Sequence, residues 1–281
     1  MTDSHGGSPL ILGGRVRRLT TVDIESVLRI VDLEELDAAA LRRELTCGDD
    51  YLWAGIDLPN GSLGAVHRSM TWGNHLLLKG VFVDEVLRGS GAALELAFAL
   101  RDAARGGGHS GLAAWVEPHK PEAALARMLR LRPTGPLVHR FEVPVAADGP
   151  RAAASVRSCG RITMALPRLA AQVPLVADLL TGDSPAAIQW VHDRHRLVLS
   201  GFPPSSVTDL ELLVSAAAPV ARANGARYLE FPAPAADLPA ALFLASVKAR
   251  RLSRTPVQLG RADFVTSPAD ISQGRKNRVC A

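Results

Sequence analysis

The chain alternates between apolar runs of strand length and amphipathic stretches of helix length, and that alternation predicts most of its elements. Arg15–Leu19 reads as a short strand. Thr20 or Thr21 can cap a helix through about Leu45, with Asp23 and Glu25 in the first turn, where a carboxylate opposes the positive end of the helix dipole. Tyr51–Asp57 and Leu63–Thr71 read as strands joined by the turn sequence Pro59-Asn60-Gly61. Trp72-Gly73-Asn74 turns the chain into Leu76–Val83, a strongly apolar strand. Arg88-Gly89-Ser90-Gly91 then precedes a helix over Ala92–Arg105, which Gly106-Gly107-Gly108 ends. Leu112–Val116 is a buried-type strand, Pro121–Leu131 a helix and Leu137–Val145 a closing strand. The order β-α-β-β-β-α-β-α-β predicts an α/β (α+β) domain built on a mixed sheet.

A second stretch follows the Gly/Pro-containing break Ala146–Ser155. Arg161–Leu166 reads as a strand and Leu169–Leu180 as a helix. Ala187–Val191 and Arg196–Ser200 form a hairpin around His192-Asp193-Arg194-His195. A helix Thr208–Asn224, a strand Arg227–Phe231, a helix Pro239–Arg251 and a strand near Pro256–Gly260 complete it. Its strand–helix–strand–helix–strand order echoes the end of the first stretch, although no residue-level repeat is visible. The expected domains are residues 10–146 and 156–265. The polar, aperiodic ends, 1–9 and 266–281, are expected to be disordered. Trp190, Phe202, Tyr228 and Phe231 are expected in the core.

Composition narrows the class. The 281 residues, 47% apolar and 21% charged, suffice for two cored domains and exclude a charged disordered chain. No run of about 18 apolar residues predicts a membrane span, and Met1–Pro9 lacks the apolar core of a secretory signal. A net charge of +4, almost all arginine, gives no reason by itself to invoke nucleic acid. Cys47, Cys159 and Cys280 are too few and too scattered for a disulfide framework or a metal site, which fits a reducing cytoplasm. His192 and His195 lack a nearby third ligand, so a polar turn is the better reading and no metal is expected. Arg250, Arg251 and Arg254 complement a helix C-terminus or form a basic wall for a phosphorylated acceptor, a carrier protein or tRNA.

The chemistry concentrates in Leu76–Ala104, where a buried strand feeds a short turn, a glycine pair and a helix. Backbone N–H groups at a helix N-terminus have no intrahelical partner, and the dipole adds about half a positive charge there. Together they hold a phosphate without lysine or arginine. Gly89 and Gly91 let the anion approach, and Ala92 and Ala93 are small. Gly-Ser-Gly alone also fits an ordinary turn before an amphipathic helix. It is not a Walker loop, since no Gly-Lys-Ser/Thr follows, and it lacks the third glycine of a dinucleotide fingerprint.

In its wider context, Val83-Asp84-Glu85-Val86-Leu87-Arg88-Gly89-Ser90-Gly91-Ala92-Ala93 resembles the acyl-CoA-binding motif of the GCN5-related N-acetyltransferases. Arg88, Gly91 and Ala93 fall on its signature positions, and the element order over Arg15–Val145 is the family's. The resemblance implies the acyl-CoA N-acyltransferase fold in two tandem copies, the second degenerate, since Pro203-Pro204-Ser205-Ser206 replaces the glycine turn. It implies acetyl-CoA or another acyl-CoA as co-substrate, with Phe82 and Val83 at the pantetheine and Arg88, Gly89, Ser90, Gly91, Ala92 and Ala93 at the pyrophosphate. A small-molecule amine would attack the thioester directly, and a backbone N–H of Val83 or its neighbour would hold the oxyanion. A base is needed near the ends of the paired strands: Glu117 first, then Glu85, with His119 or another group as alternatives and His75 at the far end. The family's tyrosine, which protonates the leaving thiolate, has Met128 in its place, and Pro121 and Arg132-Pro133 depart from the pattern as well. An aminoacyl-tRNA- or carrier-protein-dependent acyltransferase and a non-catalytic acyl-CoA-binding module therefore remain alternatives. A monomer or homodimer in the cytoplasm is expected.

Overall fold

A computed structural model describes residues 16–31, 36–47, 50–145, 160–164, 188–193, 195–201, 206–234 and 238–264. The expected break at Ala146–Ser155, the helix Leu169–Leu180, Phe202 and both expected disordered ends lie outside these residues. The chain divides into two compact units, one of residues 1–69 with 78–103 and the other of residues 70–77 with 104–281. No described helix is long and apolar enough to cross a membrane.

The strands β1 (Val16–Arg18), β2 (Tyr51–Asp57), β3 (Leu63–Trp72) and β4 (His75–Val83) lie in chain order; the first unit holds them except for the β3–β4 hairpin tip, residues 70–77, which belongs to the second. β3 is buried along its whole length, so both of its faces are covered. Parity assigns the covers. Ala65 packs with Ala92 and Leu96 of α3 (Ala92–Gly106), whereas Arg68 bonds Glu44 of α2 (Ala38–Thr46). Arg68 forms a two-pronged pair with Glu44 at 2.8 Å on each prong, and Trp53 Nε1 donates to the same carboxylate at 2.9 Å. Both charges are buried, so removing either strands the other.

The single helix expected from Thr20 to Leu45 is two helices. A 3-10 turn, Thr21–Asp23, leads into α1 (Ile24–Ile30), Val31 leaves helical geometry, and Asp37 caps α2 by accepting from Ala40 N at 2.6 Å. A well-placed cap starts a new helix where periodicity alone suggested continuation. Cys47, just past α2, is disulfide-bonded, which the reading of scattered cysteines did not anticipate.

The second unit contains β5 (Gly111–Val116), α4 (Glu122–Met128), β6 (Arg132–Pro144), β7 (Gly160–Met164), β8 (Ile188–Asp193), β9 (Arg196–Leu199), α5 (Val207–Ala223), β10 (Tyr228–Pro234), α6 (Leu238–Ser246), β11 (Arg250–Arg251) and β12 (Val257–Asp263). Its sheet order is β5-β12-β6-β10-β9-β8-β7, with β11 also on β6. β9 and β10 run parallel. β12 pairs antiparallel with both β5 and the first part of β6. The later part of β6 pairs with β10 and, at Phe141 and Glu142, with β11. Thus β12, which follows β10-α6-β11, lies between β5 and β6, and β6 lies between β10 and β11. Trp190, Leu197, Leu199, Leu229 and Phe231 form the core beneath α5 and α6.

Two expectations at these strands are corrected. The closing strand expected to begin at Leu137 begins at Arg132: Arg132–Gly135 is the start of β6, where Pro133 faces Gly260 and Gly135 takes a positive φ of 72° beside a slip in the ladder. The helix expected to run from Pro239 to Arg251 ends at Ser246. Arg250 and Arg251 form β11, and Arg250 Nε donates to Glu142 at 2.6 Å.

The helix ends repeat as the topology does. α3 and α5 close on Gly108 (φ 73°) and Gly225 (φ 73°), with His109 N bonded to Ala104 O and Ala226 N to Ala221 O. α4 and α6 close in the same six-to-one pattern on Arg130 (φ 59°) and Lys248 (φ 56°). Neither of the last two is glycine, so each holds left-handed strain of about 1–2 kcal/mol. Arg130→Gly and Lys248→Gly should each match or exceed the parent in urea midpoint, whereas Arg130→Val should lower stability by about 1 kcal/mol or more.

His67 on β3 is buried, and among the described residues its Nδ1 has no hydrogen-bond partner. Burial pushes its pKa from 6.5 down to about 4. In that window the unfolded chain holds a proton that the folded chain does not, so stability falls as pH drops. His67→Leu should remove about 1.4 kcal/mol per pH unit of slope between those pH values, measured as the difference between variant and parent unfolding curves.

Candidate functional site

The turn after β4 is anchored before it opens. Asp84 N donates to Gly64 O on β3 at 2.9 Å, and Asp84 Oδ1 accepts from Val86 N at 3.0 Å. A single 3-10 turn, Glu85–Leu87, follows, and its last side chain is buried with Ile56, Ala65, Ala92 and Leu96. A Cβ on Gly64 would stand 2.7 Å from Leu87, so glycine there lets the turn lie close to the sheet. Neither Asp84 nor Gly64 stood out in the sequence. An aspartate two residues before an amide it can cap was the available signal.

The next residues turn outward. Gly89 has φ +81° and Gly91 φ +88°, and no atom lies within 4 Å of where a Cβ on either would sit. Ser90 points inward, its N and Oγ both donating to Leu87 O at 3.1 and 2.6 Å. The Ala92 amide reaches Ser90 Oγ at 3.4 Å, and those of Leu94 and Glu95 return to Gly91 O. Among the described residues this leaves the amides of Gly89, Gly91 and Ala93 without an acceptor. Three unpaired donors at the mouth of the fifteen-residue α3 are the kind of corner that suits an anion.

The neighbouring side chains divide by role. Ala92 is buried against the core, while Ala93 is half-buried. Arg88 is exposed, its Nη1 3.4 Å from Glu85 Oε1. Glu85 is itself 85% exposed, so this pair is a weak surface contact. On β4 every residue from Leu78 to Val83 is half-buried, and the Phe82 ring folds back over Gly80, where a Cβ would meet it at 2.7 Å. Val83 packs beside Leu87 and Ala92. Phe82, Val83, Glu85 and Arg88 through Ala93 thus form one continuous stretch of the first unit.

Glu117 belongs to the second unit, just past β5. It accepts from Thr255 Oγ1 and from Lys120 Nζ, the latter at 3.0 Å. The Thr255 bond, and then Lys120, hold its carboxyl below the usual range. His119 is exposed. His75 is fully buried in a structural bond, its Nε2 2.9 Å from Asp263 Oδ1 and its Nδ1 2.7 Å from Asn74 Oδ1. Met128, at the end of α4, is half exposed and has no proton to give. The His195 ring packs edge-on against Tyr228 at 5.4 Å, which accords with a structural turn.

No protein-family model matches the sequence, and no curated protein matches it. Solved structures do match. One is a Pyrococcus horikoshii protein described as an acetyltransferase, 13% identical with a TM-score of 0.53 over 96% of each chain. Another is the glucosamine N-acetyltransferase region of a fungal multi-domain β-N-acetylglucosaminidase, 10% identical with a TM-score of 0.52 over 92% of this chain and 39% of that one. A tandem protein of the GCN5-related N-acetyltransferases from the clavulanic acid pathway aligns at 12% identity and a TM-score of 0.47, over 90% and 99% of the chains. The chain has the fold of the GCN5-related N-acetyltransferases.

Substitution at Gly91 would disturb backbone and anion together, because φ is +88° there. Ala93→Glu separates them. An acid in the first turn favours the helix, so the unfolding midpoint should hold or rise slightly. The same charge should weaken coenzyme A binding at least about tenfold, read by calorimetry. Undiminished affinity would place the anion elsewhere.

Proposed function

We propose that the chain is an acyl-CoA-dependent N-acyltransferase, with acetyl-CoA as the simplest donor and a small-molecule amine as acceptor. The supporting observation is the corner at residues 88–93, where two unobstructed left-handed glycines flank a turn whose spare amides suit a diphosphate. In this reading the half-buried β4 backbone at Phe82 and Val83 runs beside the pantetheine, and Arg88 adds positive charge at the rim. The neutral amine attacks the thioester carbon, a backbone N–H holds the developing oxyanion, and the C–S bond breaks to release the thiol.

Glu117 is the preferred base and Glu85 the alternative. A carboxylate held low is a weak base, so its contribution rests on position more than on proton affinity. Met128 and the tethering of Glu117 also favour a second reading, a module that binds acyl-CoA without turnover. Calorimetry with acetyl-CoA, followed by thiol release across a panel of amines, separates the two. Binding with turnover supports the transferase, and binding without turnover supports the module. Binding to tRNA or a carrier protein with no affinity for coenzyme A would replace the donor.

The base assignment has its own test. Glu117→Gln should lower kcat by about ten- to a hundredfold. Thr255→Val removes the bond that lowers the Glu117 pKa, so the acid limb of the pH–kcat profile should move to higher pH. An unmoved limb in Thr255→Val excludes Glu117 as the base.

A further inference from the structure

β9 and β10 form a parallel pair that opens at its C-terminal end. Their register runs Tyr228↔Arg196, Leu229↔Leu197 and Glu230↔Val198 and then stops, although β10 continues beside β6 to Pro234. The carbonyl of His195 accepts from the amides of Arg227 and Tyr228, so it faces β10. Carbonyls alternate sides along a strand, so Leu197 O and Leu199 O face β10 as well. If the register continued, Leu199 O would bond the amide at position 232. That residue is Pro232, which has none.

The vacant acceptor is filled from within the chain. Trp72 Nε1 donates to Leu199 O at 2.8 Å. Trp72 comes from the tip of the β3–β4 hairpin, which belongs to this same unit. Its ring is fully buried and stands edge-on to Trp115 at 6.0 Å. His75 on the same tip bonds Asp263 at the end of β12, and Asn74 O accepts from Ser110 N, so the indole is held from both sides. The residue after β9, Ser200, is fully buried, and among the described residues its hydroxyl has no partner. The opening therefore has one acceptor bound to an internal N–H donor and one polar group left unmatched.

We propose that the β9–β10 opening is a latent ligand cleft that Trp72 fills in cis, its indole N–H standing where the amide of an extended or flat ligand would pair with Leu199. The chain then offers a single acyl-donor site, at residues 88–93; that corollary rests on the proposed function, whereas the plug does not. Trp72→Ala should open a cavity that takes an indole-sized molecule, as engineered apolar cavities take small aromatics.

The test uses the full chain. Trp72→Ala should lower Tm, and indole at millimolar concentration should restore part of the loss, about 2 °C or more, with no effect on the parent. Benzothiophene, which has the shape but no N–H, should restore clearly less. No indole response, or an equal response to both, overturns the proposal. If Trp72→Ala does not fold, hydrogen exchange on the parent decides: the Trp72 indole N–H should exchange only by global unfolding, and rapid exchange refutes the plug. Acetyl-CoA titration of the parent should give one equivalent, and two would refute the single-site corollary. No acetyl-CoA binding at all with a preserved indole response would refute the proposed function and leave the plug standing.

Discussion

The insertion of β12 between β5 and β6 is the constraint on which the second unit depends. β5 and the start of β6 are joined by α4 but do not pair with each other, so β12 must occupy the gap between them. The reciprocal gap, between β10 and β11, is filled by the later part of β6. Neither β-α-β segment can satisfy its backbone alone, and each edge would otherwise present unpaired N–H and C=O groups. The exchange joins Gln258 to Val116 and Asp263 to Gly111, pairings that span most of the unit's length. Non-local pairings of this kind slow folding, because the loop must close before the contacts form.

Buried charge fixes the register of that exchange. Glu142 on β6 and Glu230 on β10 stand directly opposite each other and are both buried. Like charges in that position are destabilising unless compensated. Arg196 and Arg250 bond Glu142, and Arg140 bonds Glu230. A one-residue slip would turn Glu142 onto the face where Val143 and Phe141 meet α5 and α6, leaving a carboxylate in an apolar core. The network therefore penalises the nearest wrong pairings more than it rewards the right one.

Local rules carried the sequence reading where structure is local. The strands from Tyr51 to Val83, α3, β5 and α5 lie where apolar pattern, glycine and cap placed them. The glycine pair at 89 and 91 was legible because only glycine takes φ near +85° without strain. The failures share a cause. Pro133 and Gly135 look like a turn, yet their backbone is drafted into β6 by a partner more than a hundred residues away. Arg250 and Arg251 look helical, but the chain turns left-handed at Lys248, a residue type that gives no warning of it. The buried pairing of Arg68 with Glu44 had no signal in the sequence, since nothing in a single strand's pattern shows that both of its faces are covered. The plug at Leu199 needed two facts that sequence does not connect, a proline at 232 and a tryptophan at the tip of a distant hairpin.

A site made of peptide N–H groups places few demands on side chains. The proposed corner needs two glycines in left-handed geometry, a small residue at 93 and an anchored turn before them. Everything else in the domain is free to change so long as β4 and α3 keep their positions. That freedom accords with a fold shared at 13% and 10% identity. The same economy permits divergence of function. At Pro232 the backbone has no amide to offer Leu199 O, and the Trp72 indole takes that acceptor.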